Sequence, residues 1–280
     1  MVSYGSCFSD RIANKLSESG FQIESNPYGV AFDPISVANQ VQSKTGRIFQ
    51  ASSDVFKSWD TQGFVLAKNE VELSEKLDIL NTDNNRRVEE ADVVFITFGS
   101  AWAYVLNEDK SVVANCHKQD QSKFEKTLID IDSIVEVWNF LISKYRSKQF
   151  VITVSPVRHW RHGAHNNNVG KAHLHAAVYK VVSENENAHY FPSFELIMDD
   201  LRDYRFFNED MIHPSSQAIE YVWEHFQDAC MSNETRNRVS KYLKLSKLEA
   251  HKPSDSSGPA FEKWKNKIRD LKRDLGDTMQ

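Results

Sequence analysis

The chain has 280 residues, 40% of them hydrophobic, enough to bury one core of somewhat over 200 residues plus extensions but not two full domains. A net charge of −5 excludes general attraction to nucleic acid or to an anionic membrane, so partners must be argued from local sites. Three cysteines, Cys7, Cys116 and Cys230, without CxxC spacing exclude a disulfide framework and a thiolate metal centre and suit the reducing cytoplasm of a bacterium.

In chain order, "MVSY" allows only a very short first strand before Gly5, and leaves open whether the N-terminus is complete. A helix is expected over Asp10 to Ser19, capped by Ser9 or Asp10 and ended by Gly20, followed by "FQI" as a buried strand. The apolar run Val93 to Phe98 has strand length and stops at Gly99. From Thr127 to Tyr145, apolar residues recur at spacings of three and four, one face of an amphipathic helix that leads into the strand "QFVITVSPV". Gly170 to Ser183 reads as helix, "AHYFPSFELIM" as extended, and Pro214 to Met231 as a helix with Pro214 in its first turn.

Strands and helices alternate, so the expected class is α/β: a three-layer αβα sandwich on a mainly parallel sheet, with ligands at the carboxyl ends of the strands. Residues 1–245 are expected to form this domain and 246–260, rich in Pro, Gly and Ser, a linker. An amphipathic helix over 261–280 is expected to pack back on the domain or on a second copy as a self-association element. No window approaches 18 apolar residues and no secretory signal opens the chain, so a soluble cytoplasmic protein without a membrane partner is expected.

Two stretches carry chemistry. In "NEDMIHPSSQ", Asp210 and His213 are three positions apart before a helix, so one turn can bring the carboxylate to the imidazole and leave the other ring nitrogen as a base. In "VSYGSCFSDRI", a strand, a glycine, a nucleophile candidate and a helix start form a turn that exposes an attacking atom beside free helix N–H groups. The bland alternatives are an aspartate that caps a helix and a serine that caps a βα turn. In the run "RHWRHGAHNNN", His159, His162 and His165 recur every third residue, but no carboxylate accompanies them, and neither metal nor cofactor is expected.

The ordered segments "GSCFS", "NPYGVAFDPIS", "FGSAWAY", "ANCHK", "TVSPVRH", "YFPSFE", "DDLRDYRF" and "EDMIHPS" resemble the motifs of the GSCFA family, placed in the SGNH/GDSL hydrolase superfamily, over roughly residues 3 to 230. The resemblance implies a flavodoxin-like αβα fold and ester or acyl-transfer chemistry, with His213 as base and Asp210 as its orienter. Laying "YGSCF" on the superfamily's Gly-Asp-Ser-Leu puts Cys7 over the nucleophile, whereas a shift of one residue makes it Ser6. A thiolate beside His213 and a helix N-terminus would be strongly activated, yet a cysteine behind a strand is often a small buried hydrophobe. Ser6 is slightly favoured.

Gly29 resembles the glycine of the second block, an oxyanion donor. Ala101 stands where the third block supplies an asparagine, which leaves Ser100 or Asn115 as donors and Asn26 as a further contact. Arg158 and His159, just past a strand end, are expected to hold an anionic or sugar-bearing group, with Lys118 and Arg205 as weaker candidates. The expected activity is acyl-ester hydrolysis or O-acyl transfer on an acylated carbohydrate or other small molecule. The alternatives are a cysteine-dependent hydrolase or thioesterase, and a catalytically silent module that binds a glycan or small ligand on the same fold.

Overall fold

In the computed structural model, which describes residues 1–251 and 258–276, the chain opens with strand β1 (Val2–Gly5), and helix α1 (Cys7–Glu18) follows after a single residue. Then come β2 (Glu24–Ser25), α2 (Pro34–Val41), β3 (Ile48–Ser52), β4 (Val55–Ser58), β5 (Leu66–Ala67) and α3 (Glu70–Glu90). The middle of the chain holds β6 (Val93–Phe98), β7 (Trp102–Leu106), β8 (Val112–Val113), β9 (Phe124–Leu128), α4 (Ile131–Lys144) and β10 (Gln149–Val154). It closes with α5 (Gly163–Glu184), β11 (Ala188–Tyr190), the short α6 (Ser193–Glu195), α7 (Ser216–Cys230), α8 (Asn233–Ala250) and α9 (Pro259–Leu275).

The central sheet has five strands in the order β11-β10-β6-β1-β2, with every pairing parallel. In a sheet of this order the connections reverse direction between β1 and β6, and the crevice at the carboxyl ends of that pair is where ligands bind. Helices flank the sheet, as the three-layer α/β reading requires. The core is built from Tyr4, Val94, Ile96, Phe98, Phe150, Ile152 and Val154 of the strands. From the helices come Val37 and Val41 of α2, Ile134, Trp138 and Leu141 of α4, and Leu174 and Val178 of α5. Each such side chain contributes roughly 1.5–3 kcal/mol by leaving water. Trp138 is fully buried and still satisfies its indole N–H, donating to the Pro34 carbonyl at 3.1 Å. Two small antiparallel sheets, β3-β4-β5 and β8-β7-β9, are inserted between α2 and α4.

Several boundaries differ from the sequence reading. Helix α1 starts at Cys7 instead of Asp10, so Asp10 lies in its first turn and does not cap it. The strand expected at "FQI" is displaced to Glu24–Ser25. Thr127 and Leu128 pair with β7 as part of β9, and α4 starts only after Asp130, whose carboxylate accepts from the Ser133 N–H at 2.8 Å. Helix α5 begins seven residues early, at Gly163, whose φ of 78° suits a glycine at the junction. The extended reading of "AHYFPSFELIM" holds only to Tyr190; beyond α6 lies a π-helical turn over Leu196–Leu201. Pro214 pairs with Phe207 in an isolated bridge instead of entering α7.

The chain divides into two compact units, Met1–Ala13 with Ile23–Val222, and Asn14–Gln22 with Trp223–Gln280. In the second, α9 lies against α8: the Trp264 indole donates to the Leu248 carbonyl at 2.7 Å, and Lys272 pairs with Glu249 at 2.7 Å. Residues 246–250 of the expected linker continue α8, while 252–257, and 277–280 of the expected terminal helix, lie outside the described residues. No helix among the described residues is long and apolar enough to cross a membrane.

Candidate active site

The turn after β1 is held from both sides. Gly5 has φ 132°, and a Cβ there would come within 2.1 Å of the Thr97 carbonyl oxygen on β6, so only glycine lets the two strands close. Its N–H donates to Asn26 Oδ1 at 2.8 Å, while Asn26 Nδ2 donates to Asp10 Oδ1 at 2.7 Å. Ser25 adds a hydroxyl to the same Asp10 oxygen at 2.6 Å. One buried amide therefore ties the end of β1 to the first turn of α1. Asn26, expected as a substrate contact, has its carbonyl and amide engaged in holding the turn.

Ser6 and Cys7 part company here. Ser6 is fully buried, its N–H donates to the Thr97 carbonyl at 3.0 Å, and its hydroxyl oxygen faces the Phe8 N–H at 3.4 Å. Cys7 is the first residue of α1, half-buried, and lines a cleft of about 220 Å³ together with His213, Arg11 and Asn208 over a floor of Phe8, Val157, Pro214 and Ile219. Ser6 is not among the lining residues. The helix starts one residue after Ser6, which is buried, so the structure brings Cys7 and not Ser6 to the cleft that His213 lines. Burial, then the Asp10 carboxylate, push the Cys7 thiol up, against its own N–H, Arg11 and Lys171, which pull it down. The balance opposes the strong activation of the thiol that its place beside a helix N-terminus leads one to expect.

His213 is presented by a tight loop. Asp210 Oδ1 accepts the N–H groups of Ile212 at 2.9 Å and His213 at 3.0 Å, while Oδ2 meets His213 Nδ1 at 2.7 Å. These contacts, led by the His213 N–H, hold the Asp210 carboxyl down to about 2. The Asn208 N–H donates to the His213 carbonyl at 2.8 Å, and Met211 takes a positive φ of 58° to close the turn. With Nδ1 oriented by Asp210, Nε2 is left for proton transfer.

Arg158 adjoins this loop through its N–H, which donates to the Ile212 carbonyl at 3.3 Å. Its guanidinium lies over Phe207 at 4.1 Å and Tyr204 at 4.9 Å, and its Nη1 is buried without a hydrogen-bond partner. The His159 ring sits edge-on to Phe32 at 5.4 Å beside Gly99, with its backbone N–H bonded to Asn167.

The expected oxyanion donors are committed elsewhere. The Gly29 N–H donates to the Asn26 carbonyl at 2.7 Å, and those of Gly99 and Ser100 to the Phe32 carbonyl at 2.8 and 3.0 Å. The Ser100 hydroxyl accepts the Trp102 N–H at 3.0 Å. Asn115 Nδ2 donates to Gln62 at 3.2 Å, and its Oδ1 accepts the His117 N–H at 2.7 Å. Lys118 is exposed on the loop between β8 and β9 and does not line the cleft; Arg205 lies over Phe206 and pairs with Asp203 at 3.9 Å. Asp200 accepts the Tyr221 hydroxyl.

Three residues went unread in the sequence. Arg11 could have been found, since it stands one helical turn after Cys7 and so shares its face. Asn208 could have been found as a neighbour of the Asp210 turn. Lys171, buried beneath the strand ends, gave no local signal. Among the described residues no three His, Cys, Asp or Glu side chains come together to hold a metal ion.

No curated protein and no solved structure matches the chain. The GSCFA family model matches residues 1–226, the span that carries the sheet, the Gly5–Cys7 turn and the His213 loop, and the chain therefore belongs to the GSCFA family.

Proposed function

We propose that the chain is an acyl hydrolase or acyltransferase in which Cys7 is the nucleophile, His213 the general base and acid, and Asp210 its orienter. The observation that carries the reading is the cleft that Cys7 and His213 line together, with Asp210 on the far ring nitrogen. Because burial keeps the thiol protonated, His213 Nε2 takes its proton as sulfur attacks the acyl carbonyl carbon. The collapsing intermediate releases the alcohol, which His213 protonates, and leaves an acyl thioester on Cys7. Water or an acceptor hydroxyl then takes the acyl group and restores the thiol. The developing oxyanion is met by the Cys7 N–H at the start of α1, since the Phe8 and Ser9 N–H groups are turned to the Ser6 hydroxyl and carbonyl. Asn208 and Arg11 supply side-chain donors from the cleft wall.

A cleft of about 220 Å³ suits a short acyl group. The guanidinium of Arg158 and the exposed rings of Tyr204 and Trp160 around it suit a sugar-bearing or anionic remainder of the substrate. The test is turnover of p-nitrophenyl acetate by Cys7→Ala, His213→Ala and Ser6→Ala. The first two are expected to lose about a thousandfold or more, and Ser6→Ala to stay within about tenfold. An active Cys7→Ala beside a dead Ser6→Ala overturns the nucleophile, and wild-type rates in His213→Ala overturn the triad.

A further inference from the structure

Lys171, on the third turn of α5, is 3% exposed. Its Nζ donates to the Gly99 carbonyl at 2.6 Å and to the Ser155 carbonyl at 2.5 Å. Gly99 and Ser155 are the residues that follow β6 and β10, so the ammonium cross-ties two adjacent strand ends at the edge of the sheet where Cys7 stands after β1.

Two neutral carbonyls are a poor reason to bury a cation. Stripping an ammonium of water costs several kcal/mol, and carbonyl dipoles repay only part of that unless an anion is also near. Among the described residues no carboxylate pairs with Lys171. Around it stand the two carbonyls, the Phe194 ring at 5.9 Å, His175 one turn further along α5, and Cys7 on α1. The His175 ring is engaged towards Glu195, 3.6 Å away, and can only be neutral or positive. Cys7 alone among these neighbours can become an anion, and the two act on each other electrostatically, Lys171 favouring the thiolate and Cys7 favouring the ammonium.

We propose that Lys171 is a positioning residue of the reaction: the buried amine behind Cys7 whose ammonium form faces the thiolate from the protein side while His213 faces it from the cleft. This rests on the reading of Cys7 as the attacking atom. When His213 takes the thiol proton, the new sulfur anion gives the buried ammonium its missing counter-charge. No bond forms to Lys171 and no proton passes through it. Its hydrogen bonds also hold the loops after β6 and β10 in register with the Gly5–Cys7 turn, so charge and geometry come from one side chain.

The test reads the thiol directly. Iodoacetamide alkylation of Cys7, resolved by peptide mass spectrometry from Cys116 and Cys230, is followed between pH 5 and 10 in the wild-type chain, Lys171→Met, Lys171→Gln and Lys171→Arg. Loss of the charge is expected to slow Cys7 alkylation at pH 6.5, where the lysine is still charged, by about tenfold and to move its midpoint to higher pH, with Cys230 unchanged. Lys171→Gln keeps an amide donor for the carbonyls without the charge and should behave as Met does, whereas Arg should restore most of the rate. Superimposable Cys7 profiles in folded Met or Gln variants overturn the proposal. Should neither fold, Cys7→Asp and Cys7→Asn in an Arg11→Gln background decide it with Lys171 intact. The aspartate must raise the melting temperature over the asparagine at pH 6.5, and an equal or lower value overturns the pair. Ester turnover enters neither readout: an inactive chain whose Cys7 titration depends on Lys171 removes the hydrolase reading and keeps the pair, and an active chain without that dependence does the reverse.

Discussion

Replacing Lys171 by methionine makes the cost of its burial measurable, because that cost changes with pH in a way that few other groups share. In the unfolded chain the amine keeps its ordinary value of 10.5; in the fold, burial drives it down to about 7. Between these two values the unfolded chain binds a proton that the folded chain does not, so folding gains as pH rises across the window. The gap corresponds to on the order of 4–5 kcal/mol at about 1.4 kcal/mol for each pH unit. This penalty is present in full below about pH 7 and vanishes above about 10.5. Between pH 6 and pH 9 roughly half of it, about 2–3 kcal/mol, is relieved. Lys171→Met removes the titration and also leaves the Gly99 and Ser155 carbonyls without their donor, a loss of about 1–3 kcal/mol each that does not vary with pH. The prediction therefore concerns the slope. Urea unfolding of both proteins at pH 6, 7, 8 and 9 should show the stability of the variant relative to wild type falling by about 2–3 kcal/mol from the acid to the alkaline end. Parallel curves would refute the reasoning, since the lysine would then titrate alike in both states.

Two further outcomes follow from the site. Gly5→Ala should cost at least about 3 kcal/mol or leave no folded protein, because its Cβ would stand 2.1 Å from the Thr97 carbonyl oxygen in a backbone region that alanine avoids. A wild-type melting temperature would mean that β1 and β6 are not so close. Arg158→Ala should raise KM about tenfold for an anionic or sugar-bearing ester and change that of p-nitrophenyl acetate less than about twofold. Equal effects on both substrates would remove Arg158 from the site.

What could be read in the sequence was what local spacing governs. β6 and β10 are apolar runs of strand length with polar or glycine boundaries, and no competing pattern fits them. The Asp210–His213 contact is legible because three residues of loop suffice to close it. Thr127 and Leu128 satisfy helical spacing equally well as an extension of α4, and only their pairing with Ala103 and Trp102 makes them strand. The small sheets were invisible for the same reason: their strands are short, and partners far along the chain select them. Ser6 and Cys7 are neighbours, so the choice between them turned on one residue of helix register, which the Asn26 and Thr97 contacts set from outside the motif. Lys171 looks like an ordinary solvent-facing lysine until the ends of β6 and β10 close over it. The acceptors of the Gly29 and Ser100 N–H groups, the Asn26 and Phe32 carbonyls, are set by the fold and leave no trace in the motifs.

The Asn26 tie makes the Gly5–Cys7 turn a late product of folding. Cys7 owes its setting to a residue nineteen positions ahead in Asn26 and to another ninety positions ahead in Thr97, both needed before Gly5 can take its backbone conformation. Closing a loop of the second length is slow compared with forming α1 locally. A nascent or partly unfolded chain would therefore carry its cysteine but no shielded thiol, and Cys7 would be open to any electrophile. The rate at which Cys7 becomes protected during refolding is then a clock for the docking of β6 beside β1, readable from one side chain without any substrate.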